Sequence, residues 1–351
     1  MDRSIRELMN HLGLPRIIII LFFISICIMA VFLGLPTDML TNQVLVRIGM
    51  NGVLVLAMVP AILSGTGPNF GLPLGVICGL LGTLISIEMN LTGFPGFFAA
   101  IIISIPFAVI VGWVYGLLLN KVKGSEMMIA TYTGFSVVFL MSIGWIIMPF
   151  KSPEMVWPIG KGLRVTISLG ERFAEVLNKL WHIDAIIPGF GELKIPTGLL
   201  VFFFILCTIV WLFLRSKSGL ALKTAGDNPK FAIASGINVD NNRIIGTVLS
   251  TVLGAIGIIV YTQSYGFIQL YQAPLMVAFP AVAAILIGGA SAQKAHVSHV
   301  ILGVFLFQGL LTIALPVASS IMSEGNISEA LRMIVQNGII LYALTKVIGG
   351  E

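Results

Sequence analysis

The feature that most constrains this chain is a succession of long apolar runs separated by short polar breaks. Ten such runs fall at about 17–35, 44–64, 70–88, 96–119, 126–149, 197–214, 244–264, 273–290, 297–316 and 329–348. Each approaches the roughly 20 apolar residues that a helix needs to cross the hydrocarbon core. In lipid every backbone amide must be satisfied internally, which leaves helices or closed barrels. Barrel strands would alternate in segments of about ten residues, and these runs do not alternate. The chain therefore reads as all-α, a polytopic integral membrane protein with about ten transmembrane helices. Charged residues make up only 10% of the 351 positions, against about 25% in soluble domains.

Orientation follows from the placement of Lys and Arg. With the N-terminus inside, Arg3, Arg6, Arg16, Lys121, Lys123, Arg215, Lys217, Lys223, Lys230, Arg243, Lys294 and Lys346 share the inner side, and the short outer loops carry only Arg47 and Arg332. An even number of spans then puts both termini in the cytoplasm. The net charge of +5 is thereby an orientation signal, and no nucleic-acid partner is expected. The run from Ile17 to Leu35 is too long for a signal-peptide core and reads as a retained first span. Cys27, Cys78 and Cys207 lie singly in separate runs, so they read as small buried residues, not as a disulfide framework.

The whole chain, 1–351, reads as one transmembrane domain with two extramembrane interruptions. In the long outer segment 150–196, Phe173, Leu177, Leu180, Trp181 and Asp184 fall at helical spacing, with Glu171, Arg172, Glu175 and Lys179 opposite. That pattern predicts an amphipathic helix on the outer surface, and Trp157 and Trp181 suit the interfacial belt. The inner segment 215–243 holds a polar island, Gly219–Val239, broken by Asp227-Asn228-Pro229. It has room for a short helix along the membrane surface, a handle for a soluble partner. Within the runs, Gly75-x-x-x-Gly79, Gly112-x-x-x-Gly116, Gly254-Ala255-x-Gly257 and Gly288-Gly289-Ala290 predict close helix packing.

Intramembrane charges mark ion relays. Arg47, Glu88, Glu126 and Arg332 all fall near predicted span ends, so no charge is expected at mid-membrane, and ion coupling is disfavoured. No phosphate-binding loop of the Gly-x-x-x-x-Gly-Lys-Ser/Thr type is present, so ATP-driven work requires another subunit. His296-x-x-His299 lacks a third metal ligand nearby, and no cofactor is expected. The runs do contain neutral polar residues: Asn51, Gln308, Gln336, Asn337 and the cluster Thr131 to Thr133. Uncharged amides and hydroxyls suit a hydroxyl-rich neutral solute, and they equally suit bonds between helices. The stretch Thr66 to Pro73 holds two glycines and two prolines and forbids a regular helix. It is either a re-entrant break with Asn69 and Phe70 facing a pathway or a plain connection.

The island resembles the cytoplasmic loop of permease subunits of bacterial ABC importers, in the family serving ribose and simple sugars, nucleosides and branched-chain amino acids. The resemblance rests on Gly219, Ala225-Gly226-Asp227-Asn228-Pro229, Ala232 and Ser235-Gly236-Ile237-Asn238-Val239, and continues through Gly246 to Gly257, Ala281 to Gly289 and Gly303. It implies that Gly219, Gly226, Asp227, Asn228, Pro229, Ala232, Ser235 and Gly236 couple the chain to an ATP-binding subunit, with no catalytic residue of its own. It further implies a second permease subunit, identical or homologous, with the pathway between the two. An extracytoplasmic substrate-binding protein would be received in part by 150–196, and the assembly would lie in the bacterial inner membrane. Pathway residues would be Asn51, Asn69, Phe70, Thr131, Gln308 and Asn337. Ala284 to Ala290 is similar to the sugar members, whereas Asn69-Phe70-Gly71, Ser125-Glu126 and Thr131 are closer to the nucleoside members. A monosaccharide such as ribose is the first expectation and a nucleoside the alternative. An ion-coupled secondary carrier is the alternative from another class.

Overall fold

The computed structural model describes residues 14–157, 162–181, 183–187, 191–321 and six positions between 333 and 341. Helices α1 (Leu14–Phe32), α2 (Thr37–Leu56) and α3 (Met58–Leu63) come first. Pro60 has no N–H to offer the Leu56 carbonyl, and α2 and α3 part at Ala57 for that reason. They are followed by α4 (Leu72–Glu88), α5 (Gly93–Lys121) and α6 (Glu126–Ile147). The segment after α6 carries β1 (Thr166–Ser168), the single turn α7 (Val176–Lys179), β2 (Ile183–Ile187) and β3 (Gly191–Ile195). Helix α8 (Thr197–Arg215) leads to α9 (Lys217–Asp227), α10 (Pro229–Ala234) and α11 (Val239–Tyr265). Strand β4 (Phe267–Gln269), α12 (Ala273–Met276), α13 (Ala278–Ile287) and α14 (Val297–Ile321) complete the described order.

Among the described residues, six helices are long and apolar enough to cross a membrane: Thr37–Leu63, Gly93–Lys121, Glu126–Ile147, Thr197–Arg215, Val239–Tyr265 and Val297–Ser320. The first, third and eighth runs form the shorter apolar helices Arg16–Phe32, Leu72–Glu88 and Ala273–Ile287. Nine of the ten expected runs are thus helical among the described residues, six of them long enough to span and three shorter; the tenth run, with Arg332 and Gln336, lies largely outside them. Prolines explain two of the short helices. Pro73 in the first turn of α4 and Pro280 in the first turn of α13 cannot continue a helix from upstream.

Burial sorts the helices into a core and a rim. The apolar window of Thr37–Leu63 is 78% buried and that of α11 is 67% buried, whereas those of α5 and α8 reach 33% and that of α6 only 17%. Helices α2, α4 and α11 thus form the interior, and the rim presents Ile102, Ile110, Phe139, Leu140, Ile205 and Leu212 outward, as a lipid-facing surface requires. Ile19 reads as a lipid-facing position from sequence, yet only 9% of it is exposed. It shares the inward stripe of α1 with Ile26 and Ala30. Glycines set the seams. A side chain at Gly75 or Gly79 would overlap the Thr251 or Ala255 carbonyl of α11, and one at Gly112 or Gly116 would press on α11 from α5. The expectation of close packing at these pairs holds.

The two ends of the bundle are distinct. Residues 64–69, 120–126, 217–243 and 288–299 gather at one end; residues 88–93, the described residues of 150–196 and residues 263–272 gather at the other. At this second end the expected amphipathic helix does not form. Glu175 and Trp181 adopt left-handed backbone, with φ of 55° and 50°, and hold α7 to a single turn. Phe173 and Leu177 turn inward and are almost fully buried. The all-α expectation is corrected here as well, by two antiparallel ribbons. In one, β1 pairs with β4, Thr166 opposite Gln269 and Ser168 opposite Phe267. In the other, β2 pairs with β3, from Ile183 opposite Ile195 to Ile187 opposite Gly191. Gly266, with φ +81°, makes the turn from α11 into β4. Outside the helices, the Glu154 carboxylate pairs with Arg172 at 2.8 Å and raises its pKa further.

Candidate transport pathway and coupling site

A cavity of about 340 Å³ lies between α2, α11, α12, α13 and α14. Gln43, Arg47 and Asn51 line it from α2 at i, i+4 and i+8, one face of the helix. Tyr261 and Tyr265 line it from α11, with rings stacked at 5.1 Å between centroids and 22° apart. Gln269 and Gln272 close the side towards β4, and Phe307, Gln308 and Thr312 contribute from α14. The polar part of the lining is thus amide and hydroxyl, with one guanidinium and no carboxylate, and it is set among aromatic rings and aliphatic side chains such as Met50, Leu54 and Leu311. A wider vestibule of about 750 Å³ adjoins it through the shared residues Gln43, Arg47, Met50 and Tyr265. That vestibule is walled by Glu175, Asn178, Lys179 and Lys194 of the 150–196 segment.

The sequence places Arg47 near a span end, and it lies at the mouth of the cavity, beside Tyr265 and the 150–196 residues Lys179 and Lys194. Helix α2 begins at Thr37, and its first turns pack against β3: Asn42 Nδ2 donates to the Glu192 carbonyl at 3.0 Å and Lys194 N–H donates to Asn42 Oδ1 at 2.8 Å.

The six pathway candidates are divided among four places. Asn51 and Gln308 line the cavity; Asn51 Nδ2 donates to the Arg47 carbonyl at 3.0 Å, and Gln308 is nearly buried. Asn337 lines a neighbouring cavity of about 440 Å³ that shares Met276 and Pro280 with the first. Phe70 is buried against Phe279, which lines that second cavity. Thr131 bonds its own helix through the Met127 carbonyl at 2.9 Å and lines neither cavity. Asn69 is buried in a polar junction: its Nδ2 donates to Ser250 Oγ at 2.7 Å, and Tyr115 OH donates to its Oδ1 at 3.1 Å. The break from Ser64 to Gly71 is almost wholly buried, as irregular backbone at depth requires. Gln43, Tyr261, Tyr265, Gln269, Gln272 and Thr312 were not singled out from sequence; only their shared face, set by helix packing, identifies them.

The polar island folds as a helical hairpin built by its own caps. Ser216 Oγ accepts from Gly219 N–H at 3.2 Å to start α9. Asn228 Oδ1 accepts from Phe231 N–H at 3.0 Å to start α10, with Pro229 at its first position. Gly236, at φ +76°, ends α10 with Gly236 N–H bonded to Ile233 and Ile237 N–H to Ala232, the paired bonds of a Schellman close. Asn238 caps α11 in turn. Ala232 is fully buried, and Gly219 rests on the backbone of Phe213 and Leu214. Gly226 meets the Ser64–Gly71 break directly. A Cβ there would overlap the Leu63 carbonyl oxygen and lie 2.8 Å from Gly65 N. Asp227 and Ser235 are exposed, beside Leu220, Phe231 and Ile233, whose large apolar side chains face outward.

Residues 19–344 match the family described as branched-chain amino acid transport system, permease component. The chain belongs to this family. The permease is also 33% identical over 89 residues to the nucleoside ABC transporter permease protein NupC of Lactococcus lactis subsp. cremoris strain MG1363. That match covers 25% of the permease and 25% of the relative, so it spans a quarter of the relative's length. No solved structure matches the permease. As a permease component with several apolar membrane helices, it is a multi-pass membrane protein and not itself the catalytic part of a transporter. His296 and His299 stand with ring centroids 5.1 Å apart, and among the described residues no three His, Cys, Asp or Glu side chains gather to hold a metal.

Proposed function

We propose that this permease forms the membrane pathway of an ATP-driven importer for a nucleoside. The observation that carries this reading is the cavity in which stacked Tyr261 and Tyr265 face Gln43, Asn51, Gln272 and Gln308. A planar base can stack on such rings, and the amides can bond ribose hydroxyls and base edges. The 33% identical nucleoside permease supports the same choice. A monosaccharide, ranked first from sequence, would use the amides and leave the tyrosine pair without a planar partner. Family membership argues against the ion-coupled carrier.

The remaining parts of the assembly belong to the same proposal. The island at 215–243 is the coupling element, with Gly219, Gly226, Asn228, Pro229, Ala232 and Gly236 fixing its shape and Asp227 and Ser235 on its exposed surface beside Leu220 and Phe231. An ATP-binding subunit seats there. A second permease, identical or homologous, completes the pathway, and a binding protein delivers solute to the end carrying 150–196. The island end is cytoplasmic, both termini lie with it, and the membrane is the bacterial inner membrane. Asn69, Phe70 and Thr131 act beside the pathway, in the wall between the island and the cavity.

The test is isolation of the assembly through a tag on this chain, followed by uptake assays in vesicles. The expected result is recovery of an ATP-binding subunit and ATP-dependent entry of labelled nucleosides that ribose does not compete. ATP-dependent entry of ribose without nucleoside competition would overturn the substrate assignment. Uptake by the chain alone, driven by an ion gradient, would overturn the coupling.

A further inference from the structure

The cavity contains one charge without a counter-charge. The two lysines that share the vestibule with Arg47 are paired, Lys179 with Glu175 at 3.0 Å and Lys194 with Glu192 at 3.5 Å. Among the described residues, the Arg47 guanidinium has no hydrogen-bond acceptor and no carboxylate partner; only its backbone carbonyl is engaged, by Asn51. Arg47 stands where the cavity opens into the vestibule, on a helix long and apolar enough to span a membrane, and a charge on such a helix is kept when it faces a pathway and meets a ligand.

The chemistry of this site narrows the ligand. Guanidinium presents five donors in a planar fork and no acceptor, so its partner must offer acceptors. The cavity has no carboxylate, so the ammonium of an amino acid would find no counter-charge. Tyr261 and Tyr265 line the same cavity as the fork and offer a stacking surface to a planar ring. A base with adjacent acceptors, such as O6 and N7 of an oxopurine, matches a guanidinium fork; adenine opposes it with an amino donor beside N7.

We propose that Arg47 is the specificity-determining residue of the cavity and selects nucleosides whose base carries an oxo group next to a ring acceptor over their amino counterparts. This inference rests on the nucleoside reading above. Gln43 and Tyr265, which share the junction of cavity and vestibule with Arg47, make that junction the point of selection.

The test measures kcat/KM for uptake of labelled inosine and adenosine by the complete transporter carrying the natural chain, Arg47→Gln or Arg47→Lys. Every variant works with the same binding protein, so a change in the ratio of the two substrates belongs to the permease. The inosine-to-adenosine ratio is expected to fall about tenfold in Arg47→Gln, whose amide both donates and accepts. A smaller fall is expected in Arg47→Lys, which keeps the charge and loses the fork. If Arg47→Gln does not accumulate in the membrane, the ratio in Arg47→Lys decides. Inosine uptake with an unchanged ratio would overturn the inference and leave the nucleoside reading standing. Failure of both nucleosides to enter while a monosaccharide does would overturn both, a distinct pattern.

Discussion

Arg243 Nη2 lies 2.6 Å from Glu126 Oε1, joining the fifth residue of α11 to the first residue of α6. The side chains are only 10% and 16% exposed. The same guanidinium donates from Nε to Asn120 Oδ1 at 2.9 Å and from Nη1 to the Gly65 carbonyl at 3.1 Å. One side chain therefore fastens three helices to the break on which the coupling hairpin rests. Removing one partner leaves the other charge buried and unpaired, a loss of about 3–5 kcal/mol. Arg243→Met is expected to lower the unfolding temperature of the detergent-solubilised protein markedly. The double exchange Arg243→Glu with Glu126→Arg should recover part of that loss, since the bonds to Asn120 and Gly65 are not restored. A double variant no more stable than Arg243→Met would show that the pair itself contributes nothing.

Gly226→Val is expected to abolish ATP-dependent uptake while the protein still reaches the membrane, because a Cβ there overlaps the Leu63 carbonyl and displaces the break. Uptake and membrane abundance are measured together. Normal uptake would remove Gly226 from the coupling contact.

Gly236→Ala provides the contrast. Nothing lies within 4 Å of a Cβ at this position, and the difficulty is only its positive φ. The expected effect is a loss of about 1 kcal/mol in stability, with uptake largely kept. A complete loss of uptake would mean that Gly236 contacts a partner directly.

Asn69→Leu removes two bonds at once and leaves Ser250 and Tyr115 buried without their partner, at about 1–3 kcal/mol for each stranded group. Transport should fall more than for Ile18→Ala, a change at a position 52% exposed on the rim of α1. Equal effects would reduce the junction to an ordinary connection.

Much of this architecture is legible in the sequence, for identifiable reasons. Apolar run length reports helices directly because lipid offers the backbone no alternative partner. The caps of the hairpin are local, so Asn228-Pro229 and Gly236 can be read from their neighbours alone. The outer segment was not legible because β1 finds β4 roughly a hundred residues later, and no local pattern encodes such a pairing. There, the helical spacing of Phe173 and Leu177 reflects two inward contacts flanking a left-handed residue. The cavity was half legible. Asn51 and Gln308 stand out as amides in apolar runs and Arg47 as a charge near a span end, whereas the tyrosines carry no sequence signal of their own.

The glycine seams around α11 also bear on how this protein can change over generations. Positions 75, 79, 112 and 116 leave no room for a side chain against the neighbouring helix. Room for change in α5 thus lies on its exposed outward face, at positions such as Ile102 and Ile110, while α4, buried on nearly every side, has little. A lineage that acquired a new solute would do so by exchanging cavity side chains such as Gln43, Gln272 or Thr312, leaving the frame that holds them untouched.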